Sequence, residues 1–199
     1  RLADGRELIY FDDSEPYVSG AATRRLDDPR PLGDRFAPVP GEDGVERPFH
    51  GPELRLDVLT GDWVPMASHR QHRTFLPPAD ANPLAPAKPG AAYSDGEIPA
   101  EDYDVVVFEN RFPSLLTVPG APLEPWHEDG EALFTARPAA GRCEVVCFSP
   151  DSSASLKNVS PRRMRTIIEA WADRSRELAL LPEVEQVYVF ENRGKEIGV

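Results

Sequence analysis

"DVVVFENRFPSLL", residues 104–116, decides how the chain folds. Three valines and a phenylalanine in succession, closed by Glu109, Asn110 and Arg111, read as a buried strand that ends in a turn. Near the other end of the sequence the wording returns. "VYVFENR", residues 187–193, repeats "VVVFENR", residues 105–111, at six of seven positions. The repeat predicts a second strand, with Asn192 at its end as Asn110 ends the first.

Between the copies lies the clearest helix. Ser160-Pro161 is an N-cap followed by proline at the first helical position. Met164, Ile167, Ile168, Trp171, Ser175 and Leu178 recur at helical spacing and predict one core-facing stripe. Arg162, Arg163, Glu169, Asp173, Arg174 and Glu177 fall mostly on the other side, and Pro182 closes the helix. Upstream, "PELRLDVLTGDWVPMA" (52–67) alternates around Thr60–Asp62 and reads as a hairpin. "EALFTARPAAGRCEVVCFSP" (131–150) reads as two strands with a turn between Pro138 and Arg142. Residues 77–100 read as a long loop. Residues 1–51 form an irregular arm with one short strand at Glu7–Phe11, and residues 52–199 form the domain. Strands, one long helix and a further strand predict an α+β fold, an antiparallel sheet with the helix packed on one face.

Composition limits the functional classes. A net charge of −12 over 199 residues argues against a general nucleic-acid binder, although a few arginines can still build a local anion pocket. No run of 18 apolar residues occurs, so no membrane span is expected. Cys143 and Cys147 lie four residues apart. On one strand that is about 13 Å, too far for the roughly 4.4–6.8 Å between disulfide Cα atoms. Two core thiols in a reducing cytoplasm and a pair of metal ligands are the readings that remain.

"SHRQHR" (68–73) brings His69, Arg70, His72 and Arg73 together. The arginines either clamp adjoining phosphoryl groups or form a solvated basic turn, and the histidines are candidate metal ligands. Asn110 and Asn192 either tie down a turn or read a ribose hydroxyl or base edge. Gly194 and Gly198 would let backbone N–H groups approach a ligand, with Arg193 and Lys195 adding charge. No Ser/His/Asp or Cys/His set stands at convincing spacing, and "FSPDSS" (148–153) offers hydroxyls without an adjacent base.

"GDWVPMASHRQHR", "VVVFENRFPSLL", "CFSPDSSASL", the helix and "VYVFENRGKEIG", in that order, resemble the N-terminal half of the galactose-1-phosphate uridylyltransferase family, part of the wider histidine-triad group. The resemblance runs from about residue 52 to 199, more loosely before it, and implies a half-barrel sheet. It implies uridylyl transfer from UDP-glucose to galactose 1-phosphate by double displacement through a uridylylated histidine. Arg70 and Arg73 match arginines that approach substrate phosphates. Asn110 and Phe112 match the first uridine-contacting turn, and Asn192 and Gly198 match the second. A homodimer, or a C-terminal half carrying His-x-His, is the implied partner.

Three departures qualify the resemblance. The nucleophile's His-Pro-His-Gly-Gln is expected beyond Val199, so this chain alone should not catalyse transfer. The family's Cys-x-x-Cys for structural zinc is matched by "NPLAP" (82–86), with Asn82 and Ala85 in place of the cysteines and His127 as a further candidate ligand. Arg111 stands where the family often has Asp, adding positive charge beside the nucleotide. Two alternatives are a related nucleotide-hexose transferase or phosphorylase of different base specificity, and a non-catalytic nucleotide-binding or dimerising subunit.

Overall fold

The computed structural model describes residues 1–41, 43–49, 51–67, 82–88, 96–151 and 153–191. In chain order the elements are β1 (Leu8–Phe11), α1 (Glu15–Val18), β2 (Val39–Pro40), β3 (Glu46–Arg47), β4 (Glu53–Leu56), β5 (Trp63–Met66), β6 (Val105–Glu109), β7 (Trp126–His127), β8 (Thr135–Pro138), β9 (Glu144–Cys147) and α2 (Pro161–Leu178). The fold is α+β as expected, with antiparallel sheets and one long helix, and the described strands close no barrel.

β6 is the middle strand of a three-stranded sheet ordered β1-β6-β9. All five of its residues are buried. Its side chains alternate between two cores, as strand geometry requires. Val105 and Val107 meet Ile167 and Ala170 of α2. Val106 and Phe108 point the other way, onto Leu2, Ile98, Ala100 and Tyr103. The expected strand near the start of the arm is β1, which pairs with β6 from Leu8↔Phe108 to Phe11↔Val105.

The hairpin expected at 52–67 is β4–β5, paired from Glu53↔Met66 to Leu56↔Trp63. Gly61, at φ +78°, turns the chain where a side chain would be strained. β8 joins this hairpin in a second sheet, ordered β5-β4-β8-β7. The two strands read from residues 131–150 are therefore β8 and β9, but they belong to different sheets.

α2 starts as expected: the Ser160 hydroxyl accepts from the Arg163 N–H at 3.1 Å, and Pro161 follows. Its buried side is rotated from the expected stripe. Thr166, Ile167, Ala170 and Leu178 are buried, whereas Ile168 is 53% exposed. The rotation accompanies a set of ion pairs. Arg163 and Arg174, expected to face away, turn toward the sheet and bond acidic residues at its two ends. They are eleven residues apart, about 16.5 Å of helix, close to the roughly 17 Å of extended chain from Asp104, just before β6, to Glu109 at its end.

The second "VFENR" copy departs from expectation. Residues 186–191 belong to none of the strands among the described residues. Tyr188 is 76% and Phe190 67% exposed, and their rings stack at 5.9 Å. The sequence that is a strand in β6 has two flanking strands there to take its backbone hydrogen bonds, so context rather than propensity decides the outcome. Among the described residues, no helix is long and apolar enough to cross a membrane.

Candidate functional site

The turn leaving β6 carries three of the expected site residues. Asn110 donates its backbone N–H to the Cys143 carbonyl at 2.9 Å, the last rung between β6 and the chain entering β9. Its side-chain Oδ1 accepts from the Phe112 N–H at 2.9 Å, so the amide oxygen closes an Asx-turn. The turn brings the Arg111 guanidinium to 5.6 Å from the Phe112 ring centre, a cation–π distance. Arg111 also stands 3.7 Å from the Glu97 carboxylate. Asn110 and Phe112 are half-buried and Arg111 is exposed, so the turn groups an amide, an aromatic ring and a cation.

Behind this turn lies a dense ionic network. Glu109 is 5% exposed. Its carboxylate pairs with Arg35 and lies 3.3 Å from Arg142, and it accepts from the Glu7 backbone N–H at 3.1 Å. The Glu109 carbonyl accepts from buried Arg6 at 2.9 Å. Arg142 also binds Glu7 and Glu144, and Arg174 of α2 grips Glu144 with two bonds of 2.9 Å. Burial alone would raise the Glu7 carboxyl, but the Arg142 hydrogen bond and the charges of Arg142 and Arg174 outweigh it and hold the group below its usual range.

A matching clasp holds the opening end of β6. Arg163 binds Asp13 at 2.6 Å and donates to the Asp104 carbonyl at 2.7 Å, while pairing with the Asp104 carboxylate. Burial opposes the Asp104 charge, but the N–H groups of Ser14 and Asp13, the Ser14 hydroxyl and Arg163 keep its carboxyl below the normal value.

Asn110, Arg111 and Phe112 are thus brought together, whereas Arg70, Arg73, Asn192 and Gly198 lie outside the described residues, as do His69 and His72. His127 sits in β7, exposed, its Nδ1 sharing a hydrogen bond with the Thr135 hydroxyl at 3.1 Å. The residues at the expected zinc position do not fit the metal. Ala85 offers no side-chain donor, and the Asn82 Oδ1 is taken by the Leu84 N–H at 2.9 Å. Among the described residues no three His, Cys, Asp or Glu side chains are grouped to hold a metal ion. Cys143 and Cys147 are both free thiols. Burial pushes the Cys147 thiol up to about 12, which keeps it protonated and unreactive at neutral pH.

Sequence reading missed Glu109, Arg142, Arg35 and Arg6. The available signal was the Glu that precedes Asn in both copies: a carboxylate closing a run of buried apolar residues must find cationic partners.

Residues 46–199 match the galactose-1-phosphate uridyl transferase family's N-terminal domain. The chain is similar to a galactose-1-phosphate uridylyltransferase of Streptomyces lividans, 44% identical over 199 residues, covering 100% of this chain and 44% of the relative. It is also similar to those of Thermotoga maritima (36% identical, covering 73% of this chain and 42% of the relative) and Rattus norvegicus (32%, covering 73% and 39%). No solved structure matches it. The chain thus spans less than half the length of these relatives. With the β6 turn in place and the match running through it, the chain belongs to the galactose-1-phosphate uridyl transferase family, within its N-terminal domain.

Proposed function

We propose that this chain is the nucleotide-reading part of a galactose-1-phosphate uridylyltransferase. The carrying observation is the Asx-turn at Asn110. With Oδ1 spent on the Phe112 N–H, the Nδ2 group supplies two donors to a ribose hydroxyl or uracil carbonyl. Phe112 offers a face on which the base stacks, and Arg111 adds positive charge for the adjoining phosphates. Arg70 and Arg73 clamp the phosphoryl oxygens, and Asn192 and Gly198 complete the site.

The reaction is a double displacement. A histidine nitrogen from outside this chain bonds to the α-phosphorus of UDP-glucose, and the bond to the glucose 1-phosphate oxygen breaks. A phosphate oxygen of galactose 1-phosphate then takes the uridylyl group, breaking the phosphorus–nitrogen bond. The residues of this chain bind, orient and neutralise charge, which is most of the catalysis that phosphoryl transfer needs. Zinc has no step here, because Asn82 and Ala85 do not suit it. A second copy of the protein completing the site is part of the same reading.

Calorimetric titration of the full-length protein with UDP-glucose, against its Arg70→Ala variant, is the test. Weaker binding by the variant is expected, and equal binding would remove Arg70 from the site. One observation favours a second reading, a transferase for another nucleotide: Arg111 stands against the Phe112 ring, so its charge lies beside the face proposed for the base. Ranking the full-length protein on UDP-, ADP- and GDP-hexoses decides between them.

A further inference from the structure

We infer that Glu109 is the positioning residue of the nucleotide turn: its buried carboxylate sets the geometry in which Asn110, Arg111 and Phe112 meet their ligand. This rests on the nucleotide reading above. Every polar group of Glu109 is engaged. Its N–H donates to the Glu7 carbonyl at 3.2 Å, its carbonyl accepts from Arg6 at 2.9 Å, and its carboxylate takes Arg35, Arg142 and the Glu7 N–H. These partners come from the start of the arm, from its middle and from the entry to β9. One side chain therefore ties three separate segments to the peptide immediately before Asn110.

Stability alone is a weak reason for such a group. A buried ion cluster recovers little more than the cost of taking its charges out of water, and apolar side chains of similar volume serve a core as well. A buried carboxylate does give direction, because its bonds are satisfied in one geometry only. The same cluster holds Asn110 by a second route. Arg142 precedes Cys143, whose carbonyl accepts the Asn110 N–H. The Arg6 guanidinium also lies 2.6 Å from Glu97, the carboxylate that faces Arg111 on its other oxygen. Glu109 thus governs the backbone of the turn, while Glu97 links the same buried arginine to its exposed cation.

The clasp at the opposite end of β6 supplies a matched control. Asp104 is also buried, also paired with an arginine, and immediately precedes the same strand, at the end away from the turn. The full-length protein is compared with its Glu109→Gln, Arg35→Met and Asp104→Asn variants, reading UDP-glucose affinity by calorimetry and the thermal midpoint. Glu109→Gln keeps the size of the side chain and removes its charge. Both Glu109→Gln and Arg35→Met are expected to weaken binding by about tenfold, the scale of one hydrogen bond to the ligand lost. Asp104→Asn is expected to lower the midpoint at least as far while leaving affinity within about twofold, as a distant, independent site should. If Glu109→Gln does not fold, Arg35→Met against Asp104→Asn makes the same comparison. Affinity that follows the midpoint across all variants, or is unchanged in those that remove a Glu109 contact, overturns the positioning role. Wild-type protein that binds none of UDP-, ADP- and GDP-glucose overturns the nucleotide reading itself, and the positioning role with it.

Discussion

Arg163 and Asp104 join the first turn of α2 to the residue that opens β6: the guanidinium donates to the Asp104 carbonyl at 2.7 Å and pairs with its carboxylate. Asp13 shares the same arginine at 2.6 Å. Replacing Arg163 with Met leaves two carboxylates facing each other with little solvent. Breaking a buried pair from one side costs about 3–5 kcal/mol. Hydrogen exchange of the β6 amides should quicken accordingly, and unchanged protection would show that the clasp contributes nothing.

The depressed carboxyls of Asp104 and Glu7 give the stability a sign with pH. A carboxyl held below its ordinary value, 3.8 for Asp104 and 4.5 for Glu7, contributes stability that is complete above that value. The contribution fades as pH falls through the lower, folded value. The thermal midpoint should therefore stay level through neutral pH and drop in acid, below about pH 4. In Asp104→Asn the neutral midpoint should be lower and the acid limb shallower. A variant that matches the wild-type slope removes Asp104 as a source of the acid sensitivity.

The rotated face of α2 separates two neighbouring isoleucines. Ile167 is fully buried against Val105 and Val107, and Ile167→Ala should cost about 2–5 kcal/mol in denaturant unfolding. Ile168 is 53% exposed, and Ile168→Ala should change stability by no more than about 0.5 kcal/mol. Comparable losses at both positions would restore the stripe expected from spacing alone.

Asn110 serves the turn through Oδ1 and, in the proposed function, the ligand through Nδ2. Asn110→Asp keeps the acceptor for Phe112 and replaces the donor with a negative charge. The fold should survive with its thermal midpoint nearly intact, while UDP-glucose binding falls by about tenfold or more, as expected when a hydrogen-bonding site loses its donor and gains a repelling charge. Equal loss of stability and affinity would place Asn110 in the turn alone.

Treating the full-length protein with a chelator should leave its thermal midpoint unchanged, because Ala85 carries no donor and Asn82 is committed to Leu84. A fall of several degrees, restored by zinc, would show that a structural metal is held by other residues.

What was legible in the sequence is what local chemistry controls. Ser160-Pro161 marked the start of α2, the valine run marked β6, and Gly61 closed the β4–β5 hairpin, because caps, β-branched runs and turns are decided by near neighbours. The facing of α2 was legible in part: Ile167, Trp171 and Leu178 meet the core as their spacing predicts, but Thr166 and Ala170 are buried in place of Ile168. It depends on arginines meeting Asp104 and Glu144, which are far apart in sequence and come to mark the two ends of one sheet only once β6 and β9 have paired. The second "VFENR" copy misled for the same reason: identity of residues carries no information about which strand edges are within reach. At the site, Asn110 and Phe112 were visible as types at the end of a strand. The support that Glu109 receives from Arg6, Arg35 and Arg142 exists only in three dimensions.

The spacing of Arg163 and Arg174 makes α2 a calliper closed on the β-sheet. Its jaws are the two guanidiniums, and its gauge length is a count of residues rather than their identity. One residue added between them would advance Arg174 by about 1.5 Å and swing it about 100° around the helix axis, off Glu144 altogether. The outer surface of this helix is therefore free to vary in composition, but its length between those two arginines is not.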